Sequence, residues 1–257
     1  MSSIVPERVP ASQSATSARG EDPCHKLIVA LDVSSASAAQ KIVAAVGDSA
    51  STYKVGMQLY TAEGPGVVRD LVVSGRRVFL DLKYHDIPNT VGSAVREAAQ
   101  LGVSMLTVHA SGGGKMLRAA VEAASSRPEL IVLAVTVLTS MSQDDLGKIG
   151  IPGAVQDTVL RFAKLALDEG CQGIVASAHE AKALRSQYGQ DFAIVTPGVR
   201  PSGSGHADQA RVVTPAEAIA AGASHIVVGR PITEAADQAA AARGILAEMS
   251  AAVDLRS

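Results

Sequence analysis

The stretch "RVFLDLKYHDIPNTVGSAVREAAQLG", Arg77 to Gly102, reads as one strand followed by one helix. Its first part is a short apolar run that turns polar at Asp81, Lys83, His85 and Asp86. Its second part opens with Pro88, suited to the first position of a helix, and ends at Gly102, a helix stop. An isolated charge at the end of a core strand is costly. A cluster of opposite charges at that place therefore needs a reason.

The same unit recurs on both sides. Strands are expected at "LIVALD" (Leu27 to Asp32), "TYKVG" (Thr52 to Gly56), "RVFLDLK" (Arg77 to Lys83) and "MLTVHA" (Met105 to Ala110). They continue with "LIVLAVTVL" (Leu130 to Leu138), "GIVAS" (Gly173 to Ser177), "FAIVTPG" (Phe192 to Gly198) and "HIVVG" (His225 to Gly229). Continuous apolar runs, rather than alternation, point to strands buried on both faces, as in a parallel sheet. Helices are expected between them. "SASAAQKIVAAVG" opens with a capping Ser and stops at Gly47, and "TPAEAIAAG" carries Thr214 as N-cap, Pro215 at the first position, Glu217 in a capping box and Gly222 at the end. Eight such units in about 230 residues match a single-domain α/β fold of the (β/α)8 TIM-barrel type. An open doubly wound sheet is disfavoured, because "ALDVSSASAA" after the first strand has no glycine fingerprint.

Composition narrows the function classes. Of 257 residues 47% are hydrophobic and none is Trp, so the core is aliphatic. Net charge is −2 with no Lys/Arg block, which argues against nucleic acid as partner. The apolar runs are too short to span a membrane. Cys24 and Cys171 are far apart, without metal-ligand spacing, and read as free thiols in a reducing, cytoplasmic setting. Residues 1–25 are polar, lack the apolar core of a secretory signal, and are expected to be a flexible tail before a barrel domain at 26–257.

Barrel enzymes place their chemistry at the C-terminal ends of the strands. Those ends supply Asp32, Lys54, Asp81 with Lys83 and Asp86, His109, Thr139 with Ser140, Arg200, and Gly229 with Arg230. Alternation along a strand puts Asp81 and Lys83 on one side. The expected row is Lys54, Asp81, Lys83, Asp86, in which each charge favours the ionised form of the next. A structural ion-pair network would look similar, but four charges on neighbouring strand ends favour a site. After strands seven and eight, Arg200, the Gly/Ser-rich loop from Ser202, Gln209, Gly229 and Arg230 occupy the usual phosphate position of barrels.

The motif "DLKYHDIPNT", joined in order by "ALDV", "YKVG", "TVLTS", "PGVRP", "DQAR" and "VVGRPI", resembles the orotidine 5′-phosphate decarboxylase family from Leu27 to about Met249. The resemblance implies conversion of orotidine 5′-phosphate to UMP and CO2 in pyrimidine synthesis, by a homodimer without metal or organic cofactor. It implies that Lys83 delivers a proton to C6, that Asp81 lies against the substrate carboxylate, and that Lys54 and Asp32 hold ribose hydroxyls. It implies that Asp86 and Thr90 reach into the partner subunit's site. It implies further that Thr139 and Ser140 meet the pyrimidine edge, that Pro197 joins the substrate-binding residues, and that Arg200, Gln209, Gly229 and Arg230 hold the 5′-phosphate. Sister barrels acting on sugar phosphates with Mg2+ share an Asp-x-Lys-x-x-Asp pattern, which "DLKYHD" also fits. "IPNT", "TVLTS" and Lys54 favour the pyrimidine substrate. A barrel that kept only the phosphate grip is the remaining alternative, and the intact Lys54, Asp81 and Lys83 set argues against it.

Overall fold

In the computed structural model of the chain, the described residues are 23–202 and 213–254. Among them eight parallel strands close into a barrel in sequence order, with the last paired to the first. The strands are β1 (Leu27–Ala30), β2 (Thr52–Gly56), β3 (Arg77–Tyr84), β4 (Met105–His109), β5 (Ile131–Val135), β6 (Gly173–Val175), β7 (Ala193–Thr196) and β8 (His225–Val228). The helices of the first half are α1 (Pro23–Lys26), α2 (Ala36–Val46), α3 (Met57–Glu63), α4 (Gly66–Val73), α5 (Pro88–Gln100) and α6 (Gly114–Ala124). Those of the second half are α7 (Gln143–Lys148), α8 (Val155–Asp168), α9 (Ala178–Tyr188), α10 (Pro215–Ala221), α11 (Arg230–Thr233) and α12 (Gln238–Asp254). The fold is the (β/α)8 barrel that the alternating units predict. No helix among the described residues is long and apolar enough to cross a membrane.

Helix ends follow their capping residues. Ser35 accepts from the backbone N–H of Ala38 ahead of α2, and Thr214 forms a full capping box with Glu217 ahead of α10. Gly222 ends α10 in the left-handed conformation, φ 116°. Strand ends follow the apolar runs less closely. β1 stops at Ala30 rather than Asp32, β5 at Val135 rather than Leu138, β6 at Val175 rather than Ser177, and β7 at Thr196 rather than Gly198. Hydrophobicity reports burial, and the ladder stops where the chain leaves the cylinder. Thr136 and Val137 are still buried beyond the last paired residue of β5.

The apolar residues form two cores. Ile28, Ala30, Phe79, Met105, Leu133, Val195 and Val227 fill the barrel interior, and a larger cluster packs between strands and helices. The floor is closed by α1. The Nδ1 of His25 lies 2.6 Å from Ser51 Oγ, and Thr52 Oγ1 donates to the carbonyl of His25 at 3.2 Å. Residues 23–25, which the sequence reading left in the tail, thus belong to the barrel. The remainder of that tail lies outside the described residues.

His225 opens β8 two residues before Val227 and so points inward at the floor, 7% exposed. Burial, reinforced by Arg77, Lys26 and His25, pushes its imidazole down from 6.5 to about 4. The unfolded chain therefore takes up a proton between pH 6.5 and 4 that the folded barrel refuses. The contribution is fully present above pH 6.5 and is lost as pH falls to 4, an effect of about 3 kcal/mol. Urea unfolding at pH 7 and pH 4.5 should show His225→Leu losing less stability across that interval than the unsubstituted protein. Equal losses would show that His225 does not carry the acid sensitivity.

Candidate active site

The site is built on an irregularity in β3. Its pairing with β2 is regular and sets Gly56 opposite Asp81. Its pairing with β4 is not. Leu80 faces Leu106, yet Tyr84 faces Val108, four steps along β3 against two along β4. The extra chain bulges at residues 81–84. Within the bulge Lys83 takes φ 52°, the positive-φ non-glycine among the described residues. That conformation favours glycine, and a strained residue of this kind is held by its surroundings.

Thr107, across from the bulge on β4, supplies the hold. Its hydroxyl accepts from the backbone N–H of Lys83 at 2.9 Å and donates to Asp81 Oδ1 at 3.0 Å. Lys83 Nζ donates to both Asp81 oxygens, at 2.8 and 2.9 Å. Lys54, inside the barrel between Ala30 and Phe79, sets its Nζ 4.0 Å from Asp81 Oδ2 and donates to Asp32 Oδ1 at 2.8 Å. The result is an alternating row, Asp32, Lys54, Asp81, Lys83, across three strand ends. Its inner members are poorly solvated: the side chains of Lys54 and Asp81 are 12% and 14% exposed, against 60% for Asp32. Each charge there is stabilised by its neighbours rather than by water. Gly56 leaves room for the row, because a Cβ at this position would sit 3.0 Å from Lys54 Nζ.

Lys54, Asp81 and Lys83 line a cavity of about 170 Å³ whose other wall is apolar, with Phe79, Val135, Val175 and Val227. Thr139 and Pro197 border it and also the adjoining cavity of about 390 Å³, which Ser140 lines as well. Arg200, half-buried after β7, donates its backbone N–H to Val213 O at 3.0 Å, closing the base of the following loop. Gly229 caps α11, and Arg230 begins it, exposed. Gln209 and most of the Gly/Ser-rich loop lie outside the described residues.

Two sequence readings need correction. Asp81 and Lys83 do meet, but through the bulge and not by simple alternation along an unbroken strand. Asp86 is not part of the ionic row. It is exposed, its Oδ1 accepts from the N–H of Ile87 at 2.6 Å, and it makes no ion pair with the described residues. Thr90 is exposed on the first turn of α5. His85 is exposed, and its ring centroid lies 5.4 Å from that of half-buried His109. Burial, with His85 and Lys83 adding to it against Asp81, holds the His109 imidazole below its ordinary value. Sequence reading missed Thr107. Its even spacing from Met105 and His109 was the available signal, since all three share the inward phase. Thr107→Val keeps the shape and removes the hydroxyl, leaving Asp81 and the Lys83 N–H each one partner short. The expected loss is about 1–3 kcal/mol of unfolding free energy in urea. No loss would mean that the bulge holds itself.

A closed parallel barrel with a desolvated row of alternating charges at its C-terminal mouth, and arginines after β7 and β8, defines the class of barrel enzyme that does ionic chemistry on an anionic substrate. Comparison with known proteins narrows this. Residues 25–245 match the model of the "Orotidine 5'-phosphate decarboxylase / HUMPS family". The chain is 51% identical over 231 residues to an orotidine 5′-phosphate decarboxylase of Moorella thermoacetica, covering 87% of this chain and 92% of that protein. It is 51% identical over 234 residues to that of Heliobacterium modesticaldum, covering 88% and 96%. The crystal structure of orotidine 5′-phosphate decarboxylase from Lactobacillus acidophilus superposes with a TM-score of 0.80 at 39% identity, over 88% of this chain and 99% of that one. The chain belongs to the orotidine 5′-phosphate decarboxylase / HUMPS family.

Proposed function

We propose that this protein is an orotidine 5′-phosphate decarboxylase, converting its substrate to UMP and CO2 in pyrimidine biosynthesis. The observation that carries the reading is the row Asp32, Lys54, Asp81, Lys83 at the barrel mouth, in a chain about half identical to enzymes of that name. The bond from C6 of the pyrimidine to the carboxylate breaks, CO2 leaves, and the electron pair stays on C6. The Lys83 ammonium stabilises this pair and gives it a proton; water then reprotonates the amine. The stabilisation grows toward the transition state, which is the kind that raises kcat. Asp81 keeps Lys83 aimed through two hydrogen bonds. It also lies against the substrate carboxylate, and loss of CO2 relieves that like-charge contact.

Asp32 and Lys54 hold ribose hydroxyls, Thr139, Ser140 and Pro197 border the pyrimidine, and Arg200, Gln209, Gly229 and Arg230 grip the phosphate. The working unit is a homodimer in the cytoplasm. Asp86 and Thr90 serve the partner's site, which fits their exposure beside Ile87, itself 65% exposed. The reaction uses no metal and no organic cofactor. The first test is loss of orotidine 5′-phosphate absorbance on adding purified protein, with and without EDTA. Rapid loss in both, with UMP as product, is expected. A folded protein that leaves the substrate untouched would overturn the reading in favour of a Mg2+-dependent sugar-phosphate enzyme.

A further inference from the structure

The barrel floor, opposite the charged mouth, carries a second polar cluster that the reaction above does not use. It gathers His25 and Lys26 from α1, Arg77 from the start of β3 and His225 from the start of β8. Leu27 pairs with Ile226, which sets Lys26 beside His225, and Thr52 pairs with Arg77. Arg77 and His225 each stand two residues before an interior side chain, Phe79 and Val227, so both start toward the barrel axis.

Two observations point to a ligand. Arg77 Nε and His225 Nδ1 are buried without a hydrogen-bond partner among the described residues, although buried polar groups are nearly always paired. Among the described residues, the charges acting on the His225 imidazole are those of Arg77, Lys26 and His25, all basic. A positive, desolvated cluster with two unpaired nitrogens suits a group that accepts hydrogen bonds and carries negative charge. Arg77 donates from Nε, and His225 donates from Nδ1 when that nitrogen holds the proton.

We propose that the barrel floor binds a small oxyanion between Arg77 and His225, with Lys26 and His25 at its rim. The same carboxylate or phosphate chemistry has two sources: an ion from solution, or Glu21 and Asp22 of this chain, which directly precede α1 and lie outside the described residues.

Inorganic phosphate is the probe, and thermal unfolding at constant ionic strength is the readout. The background is Arg230→Ala, which weakens any phosphate binding at the mouth. With a solution ion, Tm rises by about 2–4 °C at roughly fivefold the Kd, and Arg77→Met or His225→Gln removes the rise. With the chain's own carboxylates as occupant, phosphate leaves Tm unchanged until Glu21→Gln and Asp22→Asn are introduced together, and then produces the same Arg77-dependent rise. The two floor variants are tested separately, so a folding failure in one leaves the other decisive. No rise in either background, or a rise that survives both floor substitutions, overturns the proposal.

Discussion

Lys83→Ala is expected to give a folded barrel that still binds UMP but turns over about 10⁴-fold more slowly. The substitution removes two things at once. The first is the proposed proton donor to C6, and general acid–base groups contribute about 10²–10⁴-fold. The second is the cation that, on the proposed mechanism, faces the developing carbanion, and one preorganised electrostatic contact contributes about 10²–10³-fold. The two act as a unit and do not simply multiply. Asp81 would keep Thr107 at 3.0 Å and Lys54 at 4.0 Å, so its charge stays partly compensated and the fold survives. Steady-state kcat, with UMP affinity by calorimetry and an unfolding curve as controls, checks the prediction. Substantial turnover by the variant would exclude Lys83 as the donor.

The second large effect is expected at the far side of the mouth. Arg230 begins α11 directly after Gly229 and is exposed. Arg230→Ala should lower kcat/KM by about 10²-fold, the worth of a charge-assisted bond to a phosphate, while Tm stays nearly constant. Because the phosphate lies away from the reacting carbon, part of its binding energy is spent on assembling the site, and kcat should fall along with affinity. A variant that unfolds readily while its folded fraction keeps full activity would make Arg230 a structural residue.

Both predictions rest on strand ends that were visible in the sequence. Local punctuation made the units legible. Pro88 and Thr214 mark helix starts, Gly47 and Gly222 mark stops, and continuous apolar runs mark parallel strands. Alternation put Asp81 and Lys83 together, but for the wrong reason, because it presumes an unbroken strand and β3 bulges between Leu80 and Tyr84. Asp86 fell outside the row because β3 ends at Tyr84, before it. The bulge carries no sequence mark of its own, since φ 52° favours Gly and Lys83 stands there instead.

The sequence by itself determined the eight strand–helix units, the barrel they close and the side chains that crowd its mouth. Spacing, capping and burial are local properties, written along the chain. Only the tertiary structure decided where each ladder stops, how Lys83 is turned onto Asp81, and that Thr107 braces the pair. Those contacts join residues on different strands through the register of a closed barrel. Register is settled by long-range pairing and packing together, and no window of the sequence contains it.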